Sequence, residues 1–181
     1  MSKVLVVLAP GFEEIEAVTV IDILRRADIE TTIAGLDSQQ ITGSHQIQVQ
    51  CDSTLSQINP EEFTHLFLPG GQPGTKNLIR HEKVMELVIS FHSKNKVLAA
   101  ICAAPTVLQA AGILTGKRIT SYPAERGAFT SSIYLNDKVV SDTNIITGRG
   151  VGTAIDFALA LVENISGPKM RDEIAKKILW S

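Results

Sequence analysis

Three short stretches of this 181-residue chain carry groups that could do chemistry together. Cys102 follows the apolar run Val97-Leu98-Ala99-Ala100-Ile101 and opens the small-residue segment Ala103-Ala104-Pro105. A cysteine at a strand-to-helix turn has its sulfur near the free N–H groups of a new helix, which with the helix dipole favour a thiolate and lower the thiol pKa. A sharp turn also holds such a nucleophile exposed. The alternative reading is a small buried hydrophobe, because free cysteine is among the most buried residue types.

Glu16 ends the acidic run Glu13-Glu14-Ile15-Glu16. Carboxylates in a first helical turn are ordinarily a solvated cluster that satisfies the dipole. Glu16 lies further in, beside Ile15 and Ala17. Pointed at a sheet end, it would be a desolvated carboxyl with a raised pKa, able to pass a proton to or from a thiolate. Gly70-Gly71, after Pro69, offers backbone freedom and N–H groups for an oxyanion hole. A tight turn explains that pair equally well.

These residues need a scaffold, and short apolar runs alternating with helical patterns supply one. Val4–Leu8, His65–Leu68 and Val97–Ile101 show no alternation, as strands covered on both faces require. Thr31–Leu36, Arg118–Ser121 and Asn144–Thr147 read as further strands, while Gln46–Cys51 alternates like a half-exposed edge strand. Helices are expected from about Glu13 to Ala27, around Val84–Phe91, over Ala103–Ala111, over Ala154–Ile165 and near Met170–Leu179. Asn59-Pro60-Glu61-Glu62 has the pattern of an N-cap followed by proline. The expected fold is a three-layer α/β sandwich of flavodoxin-like type, mostly parallel, with helices on both faces. Ligands in such sheets bind outside the carboxyl ends of strands, where Glu16, Gly70-Gly71 and Cys102 all fall.

Length and composition narrow the function classes. Hydrophobic residues make up 44% and charged residues 20%, which excludes disorder and fibres and fits one domain over residues 1–181. Seventeen basic against 19 acidic side chains leave a formal net charge of −2, with no electrostatic drive toward nucleic acid or an anionic membrane. No apolar run has membrane length, and Val4–Ala9 followed by Pro10-Gly11 reads as strand and turn rather than signal peptide. Two cysteines far apart suggest reduced thiols in a cytoplasm. Cys51 reads as core, on the apolar face of its strand with Ile47 and Val49. The four histidines, His45, His65, His81 and His92, show no metal spacing, and His81 and His92 read as solvated. Gly148-Arg149-Gly150-Val151-Gly152 misses the dinucleotide spacing because position 153 is Thr. Neither a cofactor nor a metal is expected.

The set Pro10-Gly11-Phe12-Glu13-Glu14-Ile15-Glu16, Leu68-Pro69-Gly70-Gly71 and Ala99-Ala100-Ile101-Cys102-Ala103-Ala104-Pro105 resembles the ThiJ/PfpI superfamily, a class I glutamine amidotransferase-like fold. It looks most like the branch of the parkinsonism-associated protein deglycase and the bacterial chaperone YajL. The resemblance implies that Cys102 is the oxidisable nucleophile, that Glu16 is a protonated carboxyl bonded to its sulfur, and that Gly71 and Ala103 are backbone donors. It implies that Arg26 stands at a homodimer interface near the partner's site, and that Cys51 lies near that interface. Tyr122 and Gly70 would line the site. The chain departs from the superfamily where Ala103 replaces the histidine after the cysteine of peptidase-like and amidase-like members, which disfavours those chemistries. Tyr122 stands where the branch often carries histidine, and a phenol is a poor base at neutral pH.

The activity implied is that of a cysteine-dependent deglycase or glyoxalase acting on methylglyoxal, glyoxal or their early adducts and giving 2-hydroxy acids. The rival expectation is a peroxide sensor or stress chaperone working through oxidation of Cys102. A small aldehyde or glycated adduct, a second copy of the chain and a cytoplasmic location complete the expectations.

Overall fold

Val4 to Leu8 alternate between two apolar cores rather than between core and solvent. Val4, Val6 and Leu8 pack on one face of a central sheet, Leu5 and Val7 on the other. The same holds at Ala99 and Ile101 against Leu98 and Ala100. A strand covered on both sides needs apolar residues at every position, so these runs show no period of two.

The computed structural model describes residues 2–181. In chain order the first half contains β1 (Lys3–Leu8), α1 (Glu14–Arg26), β2 (Glu30–Gly35), β3 (Gln40–Thr42), β4 (Gln48–Gln50), β5 (Ser53–Thr54), β6 (His65–Leu68), α2 (Gly74–Arg80) and α3 (Glu82–Ser93). Then come β7 (Val97–Ile101), α4 (Pro105–Ala110), β8 (Arg118–Ile119), β9 (Ile133–Tyr134), β10 (Val139–Asp142), β11 (Ile145–Gly148), α5 (Ala154–Ser166) and α6 (Pro168–Lys177). Seven strands form one sheet in the order β10-β11-β7-β6-β1-β2-β5. Only the β10–β11 pair is antiparallel. Helices α1, α5 and α6 cover one face through Val20, Leu24, Phe157, Leu161 and Ile174. Helices α2, α3 and α4 cover the other through Leu78, Val88, Phe91 and Val107. Phe67 of β6 meets Phe157 of α5 with ring centroids 5.6 Å apart. The three-layer sandwich expected from the sequence is the fold observed.

The chain leaves β1 toward β2 on one side and returns to β6 on the other. Such a switch opens a crevice at the carboxyl ends of the two strands. The loop Ala9–Glu13 and the segment Pro69–Gly71 emerge there.

Three local expectations change. Arg118–Ser121 is strand only over β8, which pairs with β9 in a small separate sheet. Its continuation is drawn toward the main sheet instead: the Thr120 N–H donates to Thr147 Oγ1 (2.9 Å) and the Tyr122 N–H to the Cys102 carbonyl (2.8 Å). The alternating stretch Gln46–Cys51 contributes only β4, which forms a hairpin with β3 outside the main sheet. Ile47 is therefore 57% exposed, while Cys51 is buried just past the strand end. Helix α2, between Gly71 and α3, has no counterpart in the periodicity. The Asn59 cap is as expected, its Oδ1 accepting from the Glu61 N–H (3.2 Å) at a short 3-10 turn. Among the described residues no helix is long and apolar enough to cross a membrane.

Candidate active site

Cys102 directly follows β7 with φ +63°, a left-handed conformation that non-glycine residues seldom adopt. The surroundings hold it there. Its N–H donates to the Gly148 carbonyl (2.9 Å) and its carbonyl accepts from the Tyr122 N–H (2.8 Å). Strained backbone of this kind concentrates where a side chain must be presented at an exposed turn. The thiol is half-buried.

Glu16, in the first turn of α1, is fully buried. Its Oε2 accepts from the Gly70 N–H (2.9 Å), whereas Oε1 is buried without a hydrogen-bond partner of good geometry. Gly70 explains how carboxyl and thiol come together. A Cβ there would stand 2.7 Å from Cys102 Cβ, 2.7 Å from Glu16 Oε2 and 3.0 Å from the Ile101 carbonyl. The position is glycine because the thiol and the carboxyl press against it from two sides, a stronger reason than the tight turn.

Burial pushes the Glu16 carboxyl up to about 7; the Cys102 and Gly70 hydrogen bonds pull it back, and the Glu13 charge adds to the rise. The expectation of a lowered Cys102 pKa is overturned. Burial pushes the thiol well above its ordinary value, Glu16 pushes it the same way, the Ala103 N–H pulls it down, and Glu13 adds to the rise. Helix α4 starts only at Pro105 and is six residues long, so its dipole is too weak to outweigh desolvation. The thiol is thus held toward its protonated form, and the ionisable group hydrogen-bonded to it is the Glu16 carboxyl.

The other expected residues fall in different places. Ala103 is buried and its N–H bonds the sulfur. Gly71, at φ +92°, packs against the loop before α1, where its Cβ would lie 2.4 Å from the Glu13 nitrogen. Tyr122 lines the site and is half exposed. A Cβ on Gly150 would lie 3.6 Å from the Tyr122 ring and 3.8 Å from Cys102 Sγ. Gly150 therefore borders the thiol, a placement the sequence signals only as part of a glycine-rich loop. Arg26 lies ten residues beyond Glu16 along α1, about 15 Å away at the usual helical rise. Within one chain it does not line the site; it pairs with Asp22 (2.6 Å).

Glu14 is not solvated as the cluster reading held. It is buried and caps the β3–β4 hairpin. Oε1 accepts from the His45 N–H (2.6 Å), and Oε2 is 3.1 Å from Ser44 Oγ and 3.0 Å from His45 Nδ1. Burial raises its pKa, but these bonds together with backbone N–H donors outweigh it and hold the carboxyl below its usual range. Glu13, Glu14 and His45 are the one group with metal-ligand spacing among the described residues. Both Glu14 oxygens already accept hydrogen bonds, so the cluster is explained without an ion. Cys51 is buried, and desolvation followed by Asp52 pushes its thiol up to about 11. His81 and His92 are half-buried rather than solvated, each with a buried Nδ1 lacking a partner.

Residues 2–164 match the model of the DJ-1/PfpI family. The chain belongs to that family. It is 42% identical to the Drosophila melanogaster protein dj-1beta over 99% of this chain and 98% of the relative. The crystal structure of Drosophila DJ-1beta superposes with a TM-score of 0.96 over the whole of both chains. Toxoplasma gondii DJ-1 in oxidised form matches with a TM-score of 0.96 at 33% identity over the full length of each. A Caenorhabditis elegans relative, 32% identical over 96% of this chain and 94% of its own, bears the name glutathione-independent glyoxalase DJR-1.2. The DJ-1/PfpI flavodoxin-like fold read from the three motifs is thus the family fold, and a glyoxalase stands among the relatives.

Proposed function

We propose that this chain is a cofactor-independent enzyme of the glyoxalase or deglycase type, converting methylglyoxal, glyoxal or their early adducts to 2-hydroxy acids. The observation that carries this reading is the position of Glu16 and Cys102 on either side of Gly70. A nucleophile with a general base at hand, and a base pKa close to the working pH, is the arrangement that covalent catalysis requires. The glyoxalase among the relatives supports the same substrate class.

With methylglyoxal, sulfur would add to the aldehyde carbon as Glu16 takes the thiol proton and returns it to the carbonyl oxygen. The Ala103 and Gly71 N–H groups would hold that oxygen while it carries charge. Glu16 would then move the C1 proton to C2, so that C1 is oxidised to a thioester and C2 reduced to an alcohol. Water cleaves the thioester, releasing lactate and the free thiol. The balance is one methylglyoxal plus one water to one lactate, with no outside oxidant.

The test is lactate formation from methylglyoxal by the purified chain. Many turnovers per chain, abolished in Cys102→Ser and cut at least ~100-fold in Glu16→Gln, are expected. Full activity in Cys102→Ser would contradict the reading. A second reading is favoured by the unpartnered Oε1: protonated Glu16 could donate to a sulfinate on Cys102 after oxidation by peroxide. Peroxide-dependent mass gain confined to Cys102, without methylglyoxal turnover, would select it.

We also infer a homodimer through α1, where Ile15 and Val18 are about half exposed beside a groove lined by Asp22, Ile23, Arg26 and Ile155. Sedimentation as a dimer at micromolar concentration is expected, and a monomer would refute the inference.

A further inference from the structure

Gly150, between β11 and α5, stands beside the candidate thiol in a conformation that it could easily leave. Its φ of +158° with ψ −168° lies in a region open essentially to glycine, the residue with the most freedom to depart from it. Gly152, two residues on, adds a second flexible point with open space around it. The residues before Gly150 are fixed by backbone bonds. The Gly148 carbonyl accepts from the Cys102 N–H (2.9 Å), and the Arg149 N–H donates to the Lys138 carbonyl (3.0 Å). Gly150 itself is held by Thr153, the residue before α5. The Thr153 hydroxyl accepts from the Gly150 N–H (3.1 Å) and donates to the Gly150 carbonyl (2.9 Å). The Thr153 N–H donates to that same carbonyl (2.8 Å). One side chain thus ties down both peptide groups that flank the Gly150 Cα.

What this clamp holds in place is a narrow slot. A Cβ on Gly150 would meet the Tyr122 ring at 3.6 Å and Cys102 Sγ at 3.8 Å. Both are ordinary van der Waals contacts, so the space between Gly150, Tyr122 and the sulfur is about the width of a methyl group. The Tyr122 side of the slot is anchored through its backbone, whose N–H donates to the Cys102 carbonyl (2.8 Å). We propose that Thr153 is a positioning residue that sets an upper size limit on the carbonyl compounds reaching Cys102. By keeping Gly150 against the sulfur, it admits a group the size of a methyl on this side and turns away an aromatic or branched one. The inference rests on the reading of Cys102 as the reacting nucleophile and narrows its substrate class to small aldehydes and ketoaldehydes. The selection is steric, so uncharged probes read it without interference from charges around the site.

The experiment compares alkylation of Cys102 by iodoacetamide and by N-phenyliodoacetamide, two uncharged reagents that share the reacting carbon and differ by a ring. Rates are read by peptide mass, with 2-mercaptoethanol as the unhindered reference thiol. The N-phenyl-to-plain ratio at Cys102 should lie at least about tenfold below that of the reference, since a pocket can reject even one surplus methylene by roughly that factor. Thr153→Val keeps the side-chain shape but removes the hydroxyl, and should raise the ratio several-fold toward the reference. Thr153→Ser keeps the hydroxyl and should leave the ratio at the wild-type value. A uniform change in thiol reactivity cancels in the ratio, so a merely structural role for Thr153 would not move it. A wild-type ratio within about twofold of the reference overturns the size limit, whether or not the variants fold. So does a ratio that Thr153→Val leaves unchanged, or that Thr153→Ser raises equally; Thr153→Ala takes the place of Thr153→Val if that chain does not fold. Lactate formation from methylglyoxal is measured on the same preparation. Turnover with no size discrimination sinks the limit alone, whereas discrimination without turnover sinks the proposed activity alone.

Discussion

Cys102 Cβ and Glu16 Oε2 both stand 2.7 Å from the point where a side chain on residue 70 would begin. The contact between the thiol and the carboxyl therefore depends on a missing methyl group. Gly70→Ala must push one of them away, and misplacing a reacting group by about 1 Å costs on the order of 100-fold in rate. Overpacking a site this tight should also lower stability by roughly 1–3 kcal/mol. Methylglyoxal turnover and thermal unfolding of the alanine variant check both figures. Unchanged turnover would mean that the pair does not work as a unit.

Gly150 offers the opposite case, since a methyl group there meets the Tyr122 ring and Cys102 Sγ at ordinary van der Waals distances of 3.6 and 3.8 Å. Gly150 has φ +158°, a backbone conformation that L residues rarely adopt, so Gly150→Ala and Gly150→Leu should both lower the unfolding temperature, to a similar extent. Gly150→Leu would in addition lay its side chain over the sulfur and should cut kcat/KM at least ~10-fold below that of Gly150→Ala. Steady-state kinetics beside thermal melts separates this steric block from misfolding.

Burying Glu16 makes stability depend on pH with a defined sign. Its folded pKa, about 7, lies above the usual 4.5, so the unfolded chain releases this proton first. The stability this group contributes is fully present below pH 4.5 and is lost as pH rises toward 7. The loss is on the order of 3 kcal/mol. Denaturant unfolding between pH 4.5 and 7.5 should show that slope, and Glu16→Gln should flatten it. A Glu16→Gln profile parallel to the wild type would contradict a buried, pKa-raised carboxyl.

His65 acts in the opposite direction. The ring is buried at the start of β6, with Nδ1 2.8 Å from Thr64 Oγ1 and Nε2 3.1 Å from Asn164 Oδ1. Burial lowers its pKa below the usual 6.5, and the Asn164 contact only partly offsets this. The unfolded chain therefore takes up a proton that the folded chain resists, and stability falls as pH drops below 6.5. His65→Gln should remove that acid-side loss while leaving the Glu16 slope in place. The same series of unfolding curves tests it.

The sheet was legible because its physics is local. Val4–Leu8, His65–Leu68 and Val97–Ile101 are apolar at nearly every position, and two-sided burial is the simplest cause. Cys102, Glu16 and Gly70 could be picked out because each follows the carboxyl end of a strand. What stayed hidden depends on neighbours distant in the chain. The hairpin that buries Glu14 brings Ser44 and His45 to it from 30 residues away. The Tyr122–Gly150 flank of the thiol is built from a loop that leaves its strand early. The direction of the Cys102 pKa is not legible in the sequence, because position at a helix start is visible there whereas the desolvation that outweighs it is not.

The proposed chemistry requires that Glu16 take the proton from Cys102. Alkylation of Cys102 by iodoacetamide, followed from pH 5 to 10 by peptide mass in the wild type and in Glu16→Gln, measures this. The wild type should gain reactivity through a limb near pH 7, set by Glu16, and the limb should move to higher pH in Glu16→Gln, where the buried thiol must ionise unaided. A limb that stays in place when Glu16 is neutralised would contradict the central claim.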